Sequence, residues 1–143
     1  MSYMKVWIHA VWGTKHRYPY LTKEIRGRVL DHIRENARQK EIYIDRLSGH
    51  NDHLHCVFGL NADMSIAKAL QLMKGEATRW INQERITPVR FEWASEYYAV
   101  SVSDSALNRV RSYIANQEEH HRMRSYAEEV EGLMQEYDFI HHG

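Results

Sequence analysis

The sequence predicts an α+β fold: a ferredoxin-like (RRM-like) β-α-β-β-α-β antiparallel sheet with helices on one face, followed by two C-terminal helices. Three observations carry this reading. Short runs rich in β-branched and aromatic residues alternate with two longer segments whose apolar residues recur at helical spacing. The turn residues Ser48, Gly49, His50, Asn51 and Asp52 fold the second such run back onto the third. No Gly/Ser/Pro-rich linker or internal repeat divides the 143 residues, so a single domain spans 1–143.

Residues 3–12 end at Gly13 and make the first strand, after which the basic stretch "TKHRYPYL" turns the chain. Thr22 is a cap candidate for a helix in which Ile25, Val29, Ile33 and Ala37 share a face, with Gly27 an internal weakness. Residues 42–47 read as the second strand, and His53 opens the third. Ser65 caps a second helix whose apolar face is Ile66, Leu70, Met73, Ala77 and Trp80. Pro88 ends that region, and 97–102 alternates as a fourth strand. A third helix runs from Asp104 or Ser105 to about His120, and a last one opens at Ser125 with Glu128 completing a capping box. These two are surplus to the basic unit and amphipathic, the last presenting Tyr126, Val130, Leu133 and Tyr137 on one face. They need a surface to cover, and a partner chain would serve.

Lys plus Arg and Asp plus Glu both number 19, so any grip on a polyanion comes from local patches. Lys15, His16 and Arg17 form one such cluster; Lys68, Lys74 and Arg79, largely off the apolar face of the second helix, form another. Cys56 is the single cysteine and has no partner for an internal bridge, the start shows no cleavage pattern, and no apolar run approaches the ~20 residues of a membrane helix. The expectation is a cytoplasmic protein with no membrane contact.

The stretch "GHNDHLHCVFGL" carries the chemistry. Strand alternation puts Leu54, Cys56, Phe58 and Leu60 on a core face, Cys56 as a small buried hydrophobe, and His53, His55 and Val57 on the opposite, open face. Two imidazoles spaced by twice the ~3.3 Å rise can converge on one ion. A bare pair is weak evidence, and a site also needs a third ligand and a reacting group. The helix "SALNRVRSYIANQEEHHR" offers both. Leu107, Val110 and Ile114 define its buried face, and Tyr113 and Gln117 stand one turn apart on its shoulder, with His120 a rival ligand one turn further. The spacing assigns no role to His9.

Together, "DHLHCVFGL", "ATRWIN", "YYAVSVSDS" and "YIANQEEHH" resemble the single-tyrosine HUH (His-hydrophobic-His) insertion-sequence transposases, which move single-stranded DNA. "WGTKHRYPYL", "FEW" at 91–93 and the Glu-rich final helix extend the likeness over nearly the whole chain. In one departure, where many members carry a Gln and a Gly after the tryptophan, this chain reads Trp93, Ala94, Ser95 and Glu96.

The resemblance implies that His53, His55 and Gln117 hold a divalent metal ion, Mg²⁺ or Mn²⁺, and that Tyr113 is the nucleophile. Mixed N and O ligands suit Mn²⁺, whereas Mg²⁺ favours an all-oxygen shell. Attack on a DNA phosphodiester would give a 5′-phosphotyrosine and a free 3′-OH, and rejoining would follow by transesterification. The implied partners are single-stranded DNA, as hairpin ends of a mobile element, and a second copy of the chain in a homodimer whose active sites are shared between subunits. The setting is the prokaryotic cytoplasm, in association with the nucleoid. Lys15, Arg17, Lys74 and Arg79 are candidate phosphate contacts, and Trp7, Tyr43, Trp93, Tyr97 and Tyr98 candidate base-stacking surfaces. Two rivals remain: a non-catalytic single-stranded nucleic-acid-binding module, and a zinc-dependent hydrolase using His53, His55 and His120.

Overall fold

The computed structural model describes residues 3–116 and 125–137. Strands β1 (Trp7–Gly13), β2 (Tyr43–Gly49), β3 (His53–Gly59) and β4 (Tyr98–Val102) alternate with helices α1 (Lys23–Gln39) and α2 (Ile66–Gln83) in the order β1-α1-β2-β3-α2-β4. Helices α3 (Leu107–Ala115) and α4 (Tyr126–Glu136) follow. The strands form one antiparallel sheet, spatial order β2-β3-β1-β4, which interleaves two split β-α-β units.

β1 begins at Trp7, later than its composition suggests, because Trp7 pairs with Gly59 and Val102, the last residues of its two neighbours. The third helix also starts late: Asp104–Ala106 is a 3-10 turn, and α3 proper begins at Leu107. Its expected continuation through Gln117 to His120 lies outside the described residues.

Alternation sorts the sheet into two faces. Ile8, Ala10 and Trp12 of β1 and Leu54, Cys56 and Phe58 of β3 pack with Val29 and Ile33 of α1 and Leu70, Met73 and Ala77 of α2. Each fully buried large side chain there contributes roughly 1.5–3 kcal/mol. Cys56 lies in this core, where burial pushes its thiol pKa up. On α2, Ile81 rather than Trp80 completes the buried stripe, and Trp80 instead stacks on His32 with ring centroids 4.1 Å apart.

The other face is not open, as expected, but covered by the chain's own C-terminal helices. Val57 joins Leu107 and Ile114 in a second, smaller core, flanked by Trp7, Val102, Val110 and Tyr113. A register shift between Ile44 and Arg46 takes Asp45 out of the β2–β3 ladder. Its carboxylate accepts two hydrogen bonds from Arg111 of α3, Nη2 to Oδ1 at 2.6 Å and Nε to Oδ2 at 2.8 Å. The bulge thus supplies the clamp that seats the tyrosine-bearing helix.

Arg111 hydrogen bonding holds the Asp45 carboxyl below its ordinary value. The clamp therefore acts fully above the unfolded carboxyl pKa of ~3.9 and is lost as pH falls through the lower folded value. Asp45→Asn should melt several degrees below wild type at neutral pH, and the gap should narrow in melts taken at progressively lower pH below the unfolded carboxyl value.

On α4, Ser125 and Glu128 make the expected capping box. The helix packs on its own chain. Tyr126 lies on Gly13, where a Cβ would come within 2.7 Å of the ring, and stacks on His53 at a centroid distance of 4.3 Å. Glycine at the end of β1 is what lets α4 approach.

Candidate active site and metal centre

Because β3 alternates, His53 and His55 project from one face, and both imidazoles are fully buried under α3 and α4. The face expected to be open at these rings is closed by that cover. Each ring is fixed from behind: His53 Nδ1 lies 2.8 Å from Asp52 Oδ1, and His55 Nδ1 lies 3.0 Å from His9 Nε2. Their Nε2 atoms are thereby turned toward a common point.

The third group at that point is Glu129 of α4, buried at 3% exposure. Oε2 lies 3.1 Å from His53 Nε2, and Oε1 lies 3.0 Å from His55 Nε2. Tyr113 donates its hydroxyl hydrogen bond to Oε1 of the same carboxylate, and its ring meets His55 edge-on at 5.6 Å. Of the residues expected in the site, the fold brings together His53, His55 and Tyr113. Gln117 and His120 lie outside the described residues. Sequence reading passed over Glu129, although a signal was present: it stands one turn after Tyr126 and beside Val130, a carboxylate inside the apolar stripe of an amphipathic helix.

Electrostatics tie the group together. Burial would raise the Glu129 carboxyl, but the His53 and His55 imidazoles about 3 Å from its oxygens and the Tyr113 hydroxyl outweigh it and hold its pKa well below the carboxylate range. Burial likewise opposes charge on His53, and its hydrogen bond to Asp52 and the Glu129 carboxylate 3.1 Å away outweigh that and raise its pKa.

His53, His55 and Glu129 each offer one ligand atom, all mutually within 4.8 Å. Two ligands placed cis on an octahedral ion at ~2.1 Å lie ~3.0 Å apart, which the observed histidine-to-glutamate separations match. Two imidazoles and one carboxylate suit a first-row divalent ion with remaining positions for substrate oxygens.

An open cleft of about 1250 Å³ has Tyr126, whose ring stacks on His53, in its wall; His53, His55, Tyr113 and Glu129 themselves do not line it. Lys74 of α2 and the basic turn after β1 line it, together with segment 90–98. That segment is strapped to the sheet by Ala94 N to Gly13 O at 2.9 Å and Lys15 N to Glu92 O at 3.0 Å. His16 and Arg17 hold left-handed backbone, φ 56° at each, so the turn carries strain where it presents its cations. Lys15, Arg17, Lys74 and Arg90 face the cleft against Glu92 and Glu96. Arg79 is not among these residues and pairs with Glu76 at 2.7 Å. Trp93, Tyr97 and Tyr98 line the cleft, Trp93 also packing on the core and donating Nε1 to Lys74 O at 3.1 Å, and Trp7 and Tyr43 lie against each other elsewhere.

Residues 2–117 match the family described as "Transposase IS200 like". The chain belongs to that family. The match includes His53, His55, Tyr113 and Gln117, and Glu129 lies beyond it. Among solved structures, the transposase fold recurs in a Deinococcus radiodurans R1 protein assigned as a transposase: TM-score 0.65, 24% identity, covering 81% of this chain and 93% of that one. It recurs also in a REP-associated tyrosine transposase bound to a REP hairpin: TM-score 0.64, 16% identity, 85% of this chain and 72% of that one. At these identities the likeness establishes the fold. No curated protein is significantly similar in sequence. Among the described residues no helix is long and apolar enough to cross a membrane.

Proposed function

We propose that this transposase-family chain nicks and rejoins single-stranded DNA through a covalent bond to Tyr113, beside a divalent ion held by His53, His55 and Glu129. The observation that carries the reading is the meeting, within one chain, of the Tyr113 hydroxyl, the Glu129 carboxylate and the two imidazole Nε2 atoms. Gln117, the ligand that the resemblance implies, is a further candidate for the shell.

When bound, the ion would polarise the scissile phosphate and stabilise charge on the departing oxygen. The chain's own groups do the rest. A phenol at neutral pH is a weak nucleophile, with pKa near ~10, and needs a proton acceptor in reach. Glu129 Oε1 already accepts its hydrogen bond. As the Tyr113 oxygen bonds to phosphorus, its proton leaves along the hydrogen bond to that carboxylate, which is too acidic to keep it and passes it to solvent, the bond from phosphorus to the 3′ oxygen breaks, and the departing oxygen takes up a proton to become a 3′-OH. The 5′ phosphate stays on tyrosine. In the second step a 3′-OH attacks the phosphotyrosine and the phenol recovers its proton. The phosphoester bond is exchanged rather than hydrolysed, so no nucleotide cofactor is required.

We read the cleft as a path for a single strand rather than a duplex. Tyr97 and Tyr98 offer faces for unpaired bases, and Lys15, Arg17 and Lys74 are the candidate phosphate contacts within it. Arg79, outside the cleft, would reach DNA only along the adjoining surface of α2. The REP-hairpin complex of a structural relative supports a hairpin as the substrate form.

The test is a hairpin oligonucleotide labelled at its 3′ end, incubated with Mn²⁺ or Mg²⁺ and run on a denaturing protein gel. Label migrating with the protein supports the reading. Cleavage without an adduct would favour attack by water, and binding without cleavage a plain binding module.

A homodimer with shared sites, implied by the family resemblance, makes a separate prediction. Tyr113 meets Glu129 and His55 of its own chain, so this reading takes cleavage in cis. Mixing Tyr113→Phe with His55→Ala protein should then restore no adduct, whereas shared sites would restore a substantial fraction.

A further inference from the structure

The two candidate ligand histidines are backed by different chemistry. Asp52 behind His53 can only accept a hydrogen bond when ionised, which fixes the proton on His53 Nδ1. Behind His55 stands another imidazole, and a neutral imidazole nitrogen either donates or accepts according to its tautomer.

The register explains how His9 reaches that place. β1 and β3 pair with Val11 opposite His55 and His9 opposite Val57, so His9 and His55 are diagonal neighbours on one face. Their ring centroids lie 5.3 Å apart and the planes 30° from parallel, with His9 Nε2 3.0 Å from His55 Nδ1. Val11 and His55 are buried and His9 is 8% exposed. Water is a poor substitute partner for His55 Nδ1 in that setting.

We propose that His9 is a positioning residue whose hydrogen bond to His55 runs in either direction, so that His55 Nε2 can serve Glu129 in one state and a divalent cation in the other. The inference rests on the metal-centre reading above. Without the cation, His9 Nε2–H donates to His55 Nδ1, and His55 Nε2–H donates to Glu129 Oε1. With it, His55 Nε2 gives its lone pair to the ion, and His55 Nδ1–H donates to His9 Nε2. One proton leaves His55 Nε2, one crosses the bond between the rings, and one arrives at His9 Nδ1. No net proton is released by this pair. An aspartate at this position would keep the proton on His55 Nδ1 in both states, so that His55 could serve Glu129 only as a charged imidazolium that must lose a proton to bind the ion.

The experiment combines affinity with tautomer assignment. Mn²⁺ binding is measured by titration calorimetry for wild type, His9→Leu and His9→Gln, the amide offering both a donor and an acceptor near the imidazole Nε2 position. His9→Leu should bind ~10–100-fold more weakly, and His9→Gln should recover most of that loss. In parallel, ¹⁵N imidazole shifts of wild type are followed as diamagnetic Mg²⁺ or Zn²⁺ is added. The His9 proton should move from Nε2 to Nδ1 and the His55 proton from Nε2 to Nδ1. Equal Mn²⁺ affinity in His9→Leu, or failure of His9→Gln to recover it, overturns the proposal, as does a His9 proton that stays on one nitrogen throughout. If His9→Leu does not fold, the wild-type shifts decide. Wild type that takes up no cation removes the metal-centre reading itself, whereas wild type that binds while the variants are unaffected removes only the role of His9.

Discussion

Tyr113→Phe protein should form no covalent DNA adduct, with cleavage reduced on the order of 10⁴-fold or more, the size of loss that follows removal of a catalytic nucleophile. The substitution deletes one oxygen. The ring keeps its edge contact with His55 and its place beside the Val57–Leu107–Ile114 core, so the site keeps its shape. What is lost among the described residues is the hydrogen bond to Glu129, a charged acceptor, worth about 1.5–3 kcal/mol. A thermal melt should therefore show a folded, modestly destabilised protein, and calorimetry should still find Mn²⁺ binding. An adduct of undiminished yield would remove Tyr113 from the reaction and send the search to another hydroxyl, with Tyr126 the nearest candidate by its stack on His53. Burial pushes the Tyr126 pKa up, which disfavours its ionised, nucleophilic form.

Glu129 carries the second large effect. Glu129→Ala should weaken Mn²⁺ binding at least ~100-fold and abolish the adduct, because it removes a ligand, the acceptor of the Tyr113 proton and the only carboxylate that His53, His55 and Tyr113 share among the described residues. Glu129→Gln separates charge from shape and also changes the metal-free stability profile. His53 has a raised folded pKa, so its contribution is full below the unfolded value of ~6.5 and is lost as pH rises through the folded value. His9 acts in the opposite sense. Burial first, and then the neighbouring His55, push its pKa down to about 3. As pH falls below ~6.5 the unfolded chain takes up a proton that the folded ring refuses, at up to ~1.4 kcal/mol per pH unit. From these two groups, metal-free wild type should be most stable near pH ~6.5. Glu129→Gln should flatten the alkaline limb, leaving what Asp52 alone sustains, and leave the acid limb in place. Melts across about pH 4–9 measure both, and an unchanged alkaline limb would mean that Glu129 does not hold the His53 proton.

Local pattern made much of this legible. The helical spacing from Ile25 to Ala37, the Ser65 cap and the Ser125–Glu128 box all report interactions within a few residues, and each stands where expected. Strand alternation likewise placed Leu54, Cys56 and Phe58 in the core and His53 and His55 on the far face. The errors arose where an outcome depended on what arrives from elsewhere. β1 lost its first residues because its neighbours end, and the face expected to be open is covered because α3 and α4 return to it.

By itself, then, the sequence determined the order of elements, the face on which the histidine pair stands and the helix that carries Tyr113, since periodicity and capping act over one or two turns of chain. Only the tertiary structure decided that Glu129 and His9 join that pair. Their contacts with it depend on a bulge at Asp45 that seats α3, on Gly13 making room for Tyr126, and on a strand register that sets His9 diagonal to His55. Those are distances between segments far apart in the chain, fixed by packing, and no local pattern encodes them.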